Sequence, residues 1–192
     1  SRGLGDVYKR QRMTTQGSAK KNFNNHPFFG RVKGKAFALA HNGVLWNDLE
    51  QRHAKHLPRT KVQTDSFIAV QLIEQQKSLD FSSLRYTAEA VEGSFSFTVL
   101  SERDDLYLIK GDNPLNIVHF PKVGVYAYAS TAEILNKALA RCGNWLGRGE
   151  KVDIAMGDIV KIDSRGHITR SVFDASKFYR SSWGYWDTPL YP

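Results

Sequence analysis

The chain has 192 residues, which is enough for one domain or a small pair of domains. Hydrophobic residues make up 41% of it, which excludes disorder throughout. Its only cysteine, Cys142, excludes an internal disulfide and fits a reducing cytosol. The sequence shows neither a run of about 18 apolar residues nor a signal-peptide pattern. We therefore expect a cytoplasmic protein without a membrane partner.

The net charge of +8 comes from one end of the chain. The rest of the chain carries as many acidic as basic side chains. No known nucleic-acid-binding motif occurs, so we rank a nucleic-acid partner low and expect none. Residues 1–35 contain one acid, Asp6, and nine basic residues: Arg2, Lys9, Arg10, Arg12, Lys20, Lys21, Arg31, Lys33 and Lys35.

The first 35 residues carry no clear periodicity. Residues 1–11 show neither a helical nor a strand period, and we interpret them as a non-native leader, with a flexible basic tail as the alternative. Residues 12–35 are polar and rich in Gly, Asn and Pro, which predicts a loop. We place one domain over residues 12–175 and an aromatic tail over residues 176–192.

One buried strand and three helices are predicted in the first half. Residues 36–41 form an apolar run that is typical of a buried strand. Asn42-Gly43 favours a positive φ and predicts a tight turn directly after that strand. Thr64 or Asp65 is placed to cap the second helix. The helices are predicted over residues 48–57, from about 65 to 77, and over residues 82–91.

Strand patterns dominate the second half. Phe95, Phe97 and Val99 alternate with polar residues, as in a half-buried strand. Ser130 and Glu133 have the spacing of a capping box, which predicts a helix to about residue 141. Together the elements indicate an α+β domain with layered packing. Further strands are predicted over residues 106–110, 115–119, 124–129, 151–155, 158–163 and 167–173.

Four residues have the chemistry to hold an amino acid and to stabilise the oxyanion formed by attack on its side-chain amide, and none of them is a nucleophile. Arg12 offers a planar fork of donors that suits a carboxylate. Asp65 offers a carboxylate for an ammonium group. Asn42 can present a side-chain N–H, and Gly43 a backbone N–H, to a developing oxyanion.

Each of these residues also has an ordinary structural interpretation. Arg12 would be a solvated surface residue, and Asn42-Gly43 a hairpin turn. Asp65 would be a helix N-cap, and His41 a packed or exposed histidine. No spacing of His, Cys or carboxylate residues suggests a metal site, and no cofactor is expected.

Taken together and in order, the motifs resemble the class II glutamine amidotransferases, a family of N-terminal-nucleophile hydrolases. The likeness extends over residues 12–172 and includes later glycine-containing turns. It rests on Arg12-x-x-Thr15-x-Gly17, on Asn24 or Asn25 with Pro27, on His41-Asn42-Gly43 with Asn47, and on Thr64-Asp65-Ser66. The later segments are Glu92-Gly93-Ser94, Gly111-x-x-Pro114-Leu115, Ala129-Ser130 and Gly157-Asp158.

The resemblance implies an αββα four-layer sandwich of the Ntn-hydrolase type, incomplete at its N-terminus. It implies glutamine as the substrate and a synthase domain or partner that receives the ammonia. Arg12 would bind the α-carboxylate and Asp65 the α-ammonium group of glutamine. The remaining implied roles are a substrate pocket lined by Thr15, Gln16 and His41, and an oxyanion hole formed by Asn42 and Gly43.

One departure from the family concerns the nucleophile. Family members begin with a cysteine whose α-amino group acts as the base, and this chain begins with Ser1, which no family-like strand follows. Cys142 follows a predicted helix and is interpreted as a packed thiol. We therefore expect a truncated domain that does not hydrolyse glutamine. The alternative is a nucleophile-free module that binds glutamine or regulates a partner.

Overall fold

In the computed structural model, residues 21–178 are described. Their strands form two antiparallel sheets, one of six strands in the order β1-β2-β3-β4-β8-β9 and one of three in the order β6-β5-β7. The strands are β1 Phe28–Val32, β2 Lys35–Leu45, β3 Gly93–Ser101, β4 Leu106–Lys110, β5 Asn116–Phe120, β6 Val125–Ala129, β7 Glu150–Val152, β8 Asp158–Ile162 and β9 Ile168–Val172.

Four α-helices accompany the sheets in the described part. The capping box at the start of the third helix is complete, because Asp80 Oδ1 accepts from Ser83 N at 2.9 Å and Ser83 Oγ accepts from Asp80 N at 3.1 Å. The helices are α1 Asp48–Ala54, α2 Phe67–Gln75, α3 Phe81–Ala90 and α4 Ala132–Ala140, with short 3-10 turns at Asn22–Asn24 and Gly143–Leu146.

The middle of the large sheet has packing on both faces. On one face, alternate residues of β2 and β3 pack with α2 and α3 in the main core, which includes Leu39, Phe97 and Leu72. On the other face, Leu108 and Val160 pack against the small sheet in a second cluster. Helix α4 lies against β6. The resulting layers run helix, sheet, sheet, helix, so the predicted layered α+β class is confirmed.

The predicted turn at Asn42-Gly43 is wrong. Strand β2 continues to Leu45, with Asn42 opposite Ser96 and Gly43 opposite Phe95 of β3. An Asn-Gly dipeptide favours a tight turn, but here β2 pairs with β3 beyond the dipeptide. That pairing outweighs the local preference. Gly43 instead has φ 141° inside the strand, a conformation that only glycine adopts readily.

Two predicted helix caps are also wrong. The residue before α2 is Ser66, whose side chain makes no capping bond, and neither Thr64 nor Asp65 caps this helix. At α4 the cap is Thr131, whose Oγ1 accepts from Ile134 N at 3.2 Å. The carboxylate of Glu133 instead pairs with Lys137 at 2.6 Å, so it is not available for the predicted capping box with Ser130.

The cap at α4 can be tested with two neighbouring substitutions. Thr131→Ala should destabilise the start of α4 by about 1 kcal/mol, because it leaves the Ile134 N–H without its acceptor. Ser130→Ala should have little effect, since only the main-chain oxygen of Ser130 is used, as an acceptor from Asn116. Amide hydrogen exchange along α4 measures both, and faster exchange in Ser130→Ala than in Thr131→Ala would contradict the assignment.

Candidate functional site

The end of β2 and the start of α2 are joined by two hydrogen bonds between residues far apart in sequence. The Leu45 N–H donates to Asp65 Oδ2 at 2.7 Å. The hydroxyl of Ser66 lies 2.8 Å from His41 Nδ1. The structure thus brings the predicted His41-Asn42-Gly43 and Thr64-Asp65-Ser66 stretches together at one place.

His41 is buried between the two elements, with 4% of its surface exposed. Its Nε2 lies 3.4 Å from the carbonyl oxygen of Ser94, which can only accept. In the neutral ring Nε2 therefore carries the proton, and Nδ1 accepts from Ser66. Burial lowers the pKa of His41, while the charge of Asp65 and the Ser94 carbonyl act in the opposite direction. The ring is thus held neutral near pH 7 and packs 5.0 Å from the ring of Phe97.

Asp65 is only 2% exposed. Besides the bond from Leu45, its Oδ1 lies 3.4 Å from the Ser66 hydroxyl. Among residues 21–178, no Lys or Arg forms an ion pair with it. Buried carboxylates usually have a cationic partner, so Asp65 is suited to receive one.

The side chain of Asn42 faces the other side of β2 and borders a cleft of about 320 Å³. Its amide makes no hydrogen bond with any residue in the part of the chain described. Its main-chain oxygen accepts from Asn113 Nδ2 at 2.7 Å. The amide is therefore available to a ligand while the backbone beside it is held in place. The cleft is lined by Ala40, His41, Asn42, Ser96, Thr98, Leu115, Tyr128, Ala129 and Ser130.

The N–H of Gly43 lies on the edge of β2 that faces away from β3. Phe95, opposite Gly43 in β3, donates its N–H to Asp112 Oδ1 at 2.9 Å instead of to β2. Leu45 donates to Asp65, and Trp46 donates to the Glu92 carbonyl at 3.0 Å on the other side. Because N–H groups alternate between the two edges of a strand, that of Gly43 lies on the same edge as that of Leu45.

The loop between β4 and β5 holds this backbone from one side, which the sequence did not reveal. Asp112 fixes β3 at Phe95, and Asn113 fixes β2 at Asn42. The sequence predicts only a turn at Gly111-Asp112-Asn113-Pro114, because the contacts of Asp112 and Asn113 are with residues more than fifteen positions away in the chain. The matched Asn47 is structural, since its side chain bonds the Ala90 carbonyl at 3.0 Å and accepts from Glu92 N at 2.8 Å.

Three predicted site residues are not covered by the described part of the chain. Arg12, Thr15 and Gln16 fall outside the described residues, and their roles stay predictions. Cys142 is exposed just after α4, with its thiol 3.6 Å from the Ala138 carbonyl, so its interpretation as a packed thiol is wrong.

Within residues 21–178, no group of three or more His, Cys, Asp or Glu could hold a metal ion. No helix in that part has the length and apolar character needed to cross a membrane.

Sequence comparison finds a homologue. Glutamine–fructose-6-phosphate aminotransferase [isomerizing] of Halalkalibacterium halodurans is 29% identical over 127 residues, which is 63% of this chain and 20% of that protein. No family model matches the sequence.

Two solved structures are similar to this one. Glutamine phosphoribosylpyrophosphate amidotransferase from B. subtilis, complexed with ADP and GMP, matches with a TM-score of 0.60 over 81% of this chain at 20% identity. The allosteric regulatory enzyme of purine biosynthesis matches with a TM-score of 0.58 over 79% of this chain, also at 20% identity. The chain has the fold of the class II glutamine amidotransferases. The predicted resemblance and the predicted Ntn-hydrolase type of fold are therefore confirmed.

The amidotransferase fold is present here in a chain much shorter than its relatives. It spans about a fifth of the length of the curated relative and about a third of the two solved chains.

The lowered pKa of His41 gives a pH dependence with a defined sign. In the unfolded chain this ring titrates near its usual pKa of about 6.5, and in the folded protein it titrates lower. As the pH falls below about 6.5, the unfolded state therefore binds a proton that the folded state does not. The unfolding free energy should fall by up to about 1.4 kcal/mol per pH unit from this residue. Urea denaturation between pH 8 and 5 measures the slope, and an unchanged slope in His41→Gln would refute the assignment.

Gly43 should tolerate no side chain. An added Cβ would lie 1.9 Å from the Ser94 carbonyl oxygen and 2.6 Å from Asn113 Nδ2. Gly43→Ala should lower the unfolding free energy by at least about 2 kcal/mol in urea denaturation. Gly34→Ala is the control, because Gly34 has φ 81° but no atom within 4 Å of its Cβ position. Equal losses in the two variants would show that overlap with Ser94 and Asn113 contributes nothing.

Proposed function

We propose that residues 12–175 form a glutamine amidotransferase domain that binds glutamine and, in the intact protein, releases ammonia from it through a cysteine thioester. The observation that carries this proposal is the pair of hydrogen bonds joining His41 and Leu45 of β2 to Ser66 and Asp65 before α2. They assemble two separate motifs in a chain homologous to a glutamine-dependent aminotransferase.

Asp65 and Arg12 are proposed to hold the two charged ends of glutamine. Asp65 would take the α-ammonium group, which is supported by its burial without a cationic partner in the described residues. Arg12 would take the α-carboxylate through a bidentate pair. Thr15 and Gln16 would line the pocket, and His41 would support it by orienting Ser66 beside Asp65.

Asn42 and Gly43 are proposed to form the oxyanion hole. The free side-chain amide of Asn42 and the edge-facing N–H of Gly43 support this role. Hydrogen-bond donors of this kind typically lower the barrier by about 3 kcal/mol each. They act on the tetrahedral intermediate, so they should affect hydrolysis far more than glutamine binding.

We propose that the nucleophilic cysteine of the intact protein is not among these 192 residues. Cys142 is their single cysteine, and it lies exposed beyond α4, on a different element from the candidate site. This favours a second candidate function, a glutamine-binding or regulatory module on the same scaffold. The two functions share the binding step and differ in whether the intact protein hydrolyses glutamine.

The ammonia acceptor is proposed to be a synthase domain or partner outside this chain. The homologue is named an isomerizing aminotransferase, and this chain spans 20% of its length. The remainder of such a protein would have ample room for the acceptor site.

Glutamine binding by the 192-residue chain provides the first test of both candidate functions. Calorimetry should detect L-glutamine binding. Asp65→Asn should weaken it at least about tenfold, because the ammonium group loses its counter-charge. The amide oxygen of Asn can still accept from Leu45, so the fold should be kept.

Asp153→Asn provides the matched control, since Asp153 is an exposed acid paired with Lys151. It should leave glutamine affinity unchanged. Unchanged affinity in Asp65→Asn, or no binding at all by the parent chain, would contradict the proposed pocket.

An ammonia-release assay then separates the two candidates. The 192-residue chain should release no ammonia from glutamine above background, and Cys142→Ala should behave identically. Ammonia release that disappears in Cys142→Ala would overturn the view that this cysteine is not the nucleophile. In the full-length gene product, release that depends on Asn42 would favour the amidotransferase, and binding without release would favour the regulatory module.

A further inference from the structure

A second cavity lies at the opposite end of β2 from the candidate site. It has a volume of about 220 Å³ and is bordered by the β1–β2 turn, the β3–β4 turn and the α2–α3 loop. Lys35 at this end is seven residues from Asn42, which corresponds to about 23 Å along a strand. The cavity is therefore separate from the cleft beside Asn42.

The rim of this cavity is cationic. Lys33, Lys35, Lys77 and Arg103 line it, and all four are exposed. Among the residues that the structure describes, none of the four forms an ion pair. They come from three separate segments that converge only in the folded protein.

The two acids in the lining are already engaged. Glu102 Oε2 accepts from Ala36 N at 2.6 Å. Asp105 is paired with Lys161 at 3.0 Å. Lys161 offsets the charge of Asp105, and the four rim cations outnumber the remaining negative charge of Glu102.

The inner wall is apolar. Phe37 and Tyr107 are buried, and Val32 and Leu79 complete this wall. The Tyr107 hydroxyl donates to the Leu79 carbonyl at 3.4 Å, so its polar atom is satisfied inside the protein. A ligand would therefore meet carbon surface at the base and positive charge at the mouth.

Two of the rim lysines occupy strained backbone positions. Lys33 has φ 50° and Lys77 has φ 54°, in the left-handed region that disfavours side chains. Lys77 follows α2 at the position where helices commonly carry glycine. Glycine or asparagine would suit both positions better, so local structure does not explain why lysine is present.

We propose that this cavity binds a small organic phosphate, with the phosphate at the cationic rim and the carbon skeleton on the Phe37–Tyr107 wall. Lysine and arginine side chains are the usual protein partners of phosphate. The volume lies below that of cavities for drug-sized ligands, which points to a compact molecule such as a sugar phosphate. A cavity of this size does not accommodate a duplex, so nucleic acid is the weaker alternative.

The test is a titration of the isotope-labelled 192-residue chain with glucose 6-phosphate, followed by amide NMR shifts. Shifts should concentrate at residues 33–37, 77–79 and 101–107. Glucose should produce none of them, and inorganic phosphate should bind more weakly than the ester. Lys33→Asn/Lys77→Asn should weaken binding at least about tenfold while leaving the melting temperature equal or higher, since Asn tolerates positive φ.

Lys122→Asn/Lys151→Asn is the matched control, because it removes the same charge from exposed lysines that do not line the cavity. It should bind like the parent chain. Absence of shifts at the cavity, or equal weakening in both double variants, would overturn the proposal. Equal affinity for inorganic phosphate would reduce the site to a simple anion site. Tighter binding of duplex DNA through the same residues would replace the small ligand with nucleic acid.

Discussion

The candidate site depends on one buried hydrogen bond, from the Leu45 N–H to the carboxylate of Asp65. It ties the last residue of β2 to the residues that lead into α2, across twenty positions of sequence. Loss of the acceptor would leave a buried N–H unpaired, at a cost of about 1–3 kcal/mol. The charge of the same carboxylate also offsets part of the lowering of the His41 pKa by burial. One group thus both pairs with the backbone and acts on the histidine.

A single loop supports the site from the other side. Asp112 accepts a hydrogen bond from the Phe95 N–H, and Asn113 donates one to the Asn42 carbonyl. Two consecutive loop residues thus fix β3 and β2 beside each other. The absence of a side chain at Gly43 makes room for this approach, because Asn113 Nδ2 occupies the space next to its Cα. Close packing and hydrogen bonding therefore fix the same short stretch of backbone.

The sequence predicted most element types, because they follow from local periodicity, but it missed strand β1 at Phe28–Val32, which lies within the predicted loop of residues 12–35. Phe95, Phe97 and Val99 alternate as a strand requires, and all three are buried. It failed at Asn42-Gly43, where pairing with β3 outweighed the turn preference of the dipeptide. It failed at the two helix caps for a similar reason, because Asp65 and Glu133 bond other partners. The contacts that assemble the candidate site join side chains to distant backbone groups, and such contacts leave no local pattern.

The edge of β2 explains why a side chain, and not a strand, pairs with the backbone at this site. Strand β1 pairs with β2 only as far as Leu39, so within residues 21–178 the stretch 41–45 has a strand neighbour on one side alone. An open edge normally needs another partner for its N–H groups. Asp65 supplies that partner for Leu45 but not for Gly43, two residues earlier on the same edge. The N–H of Gly43 thus lies beyond the point where β1 ends, and the described residues place no strand beside it.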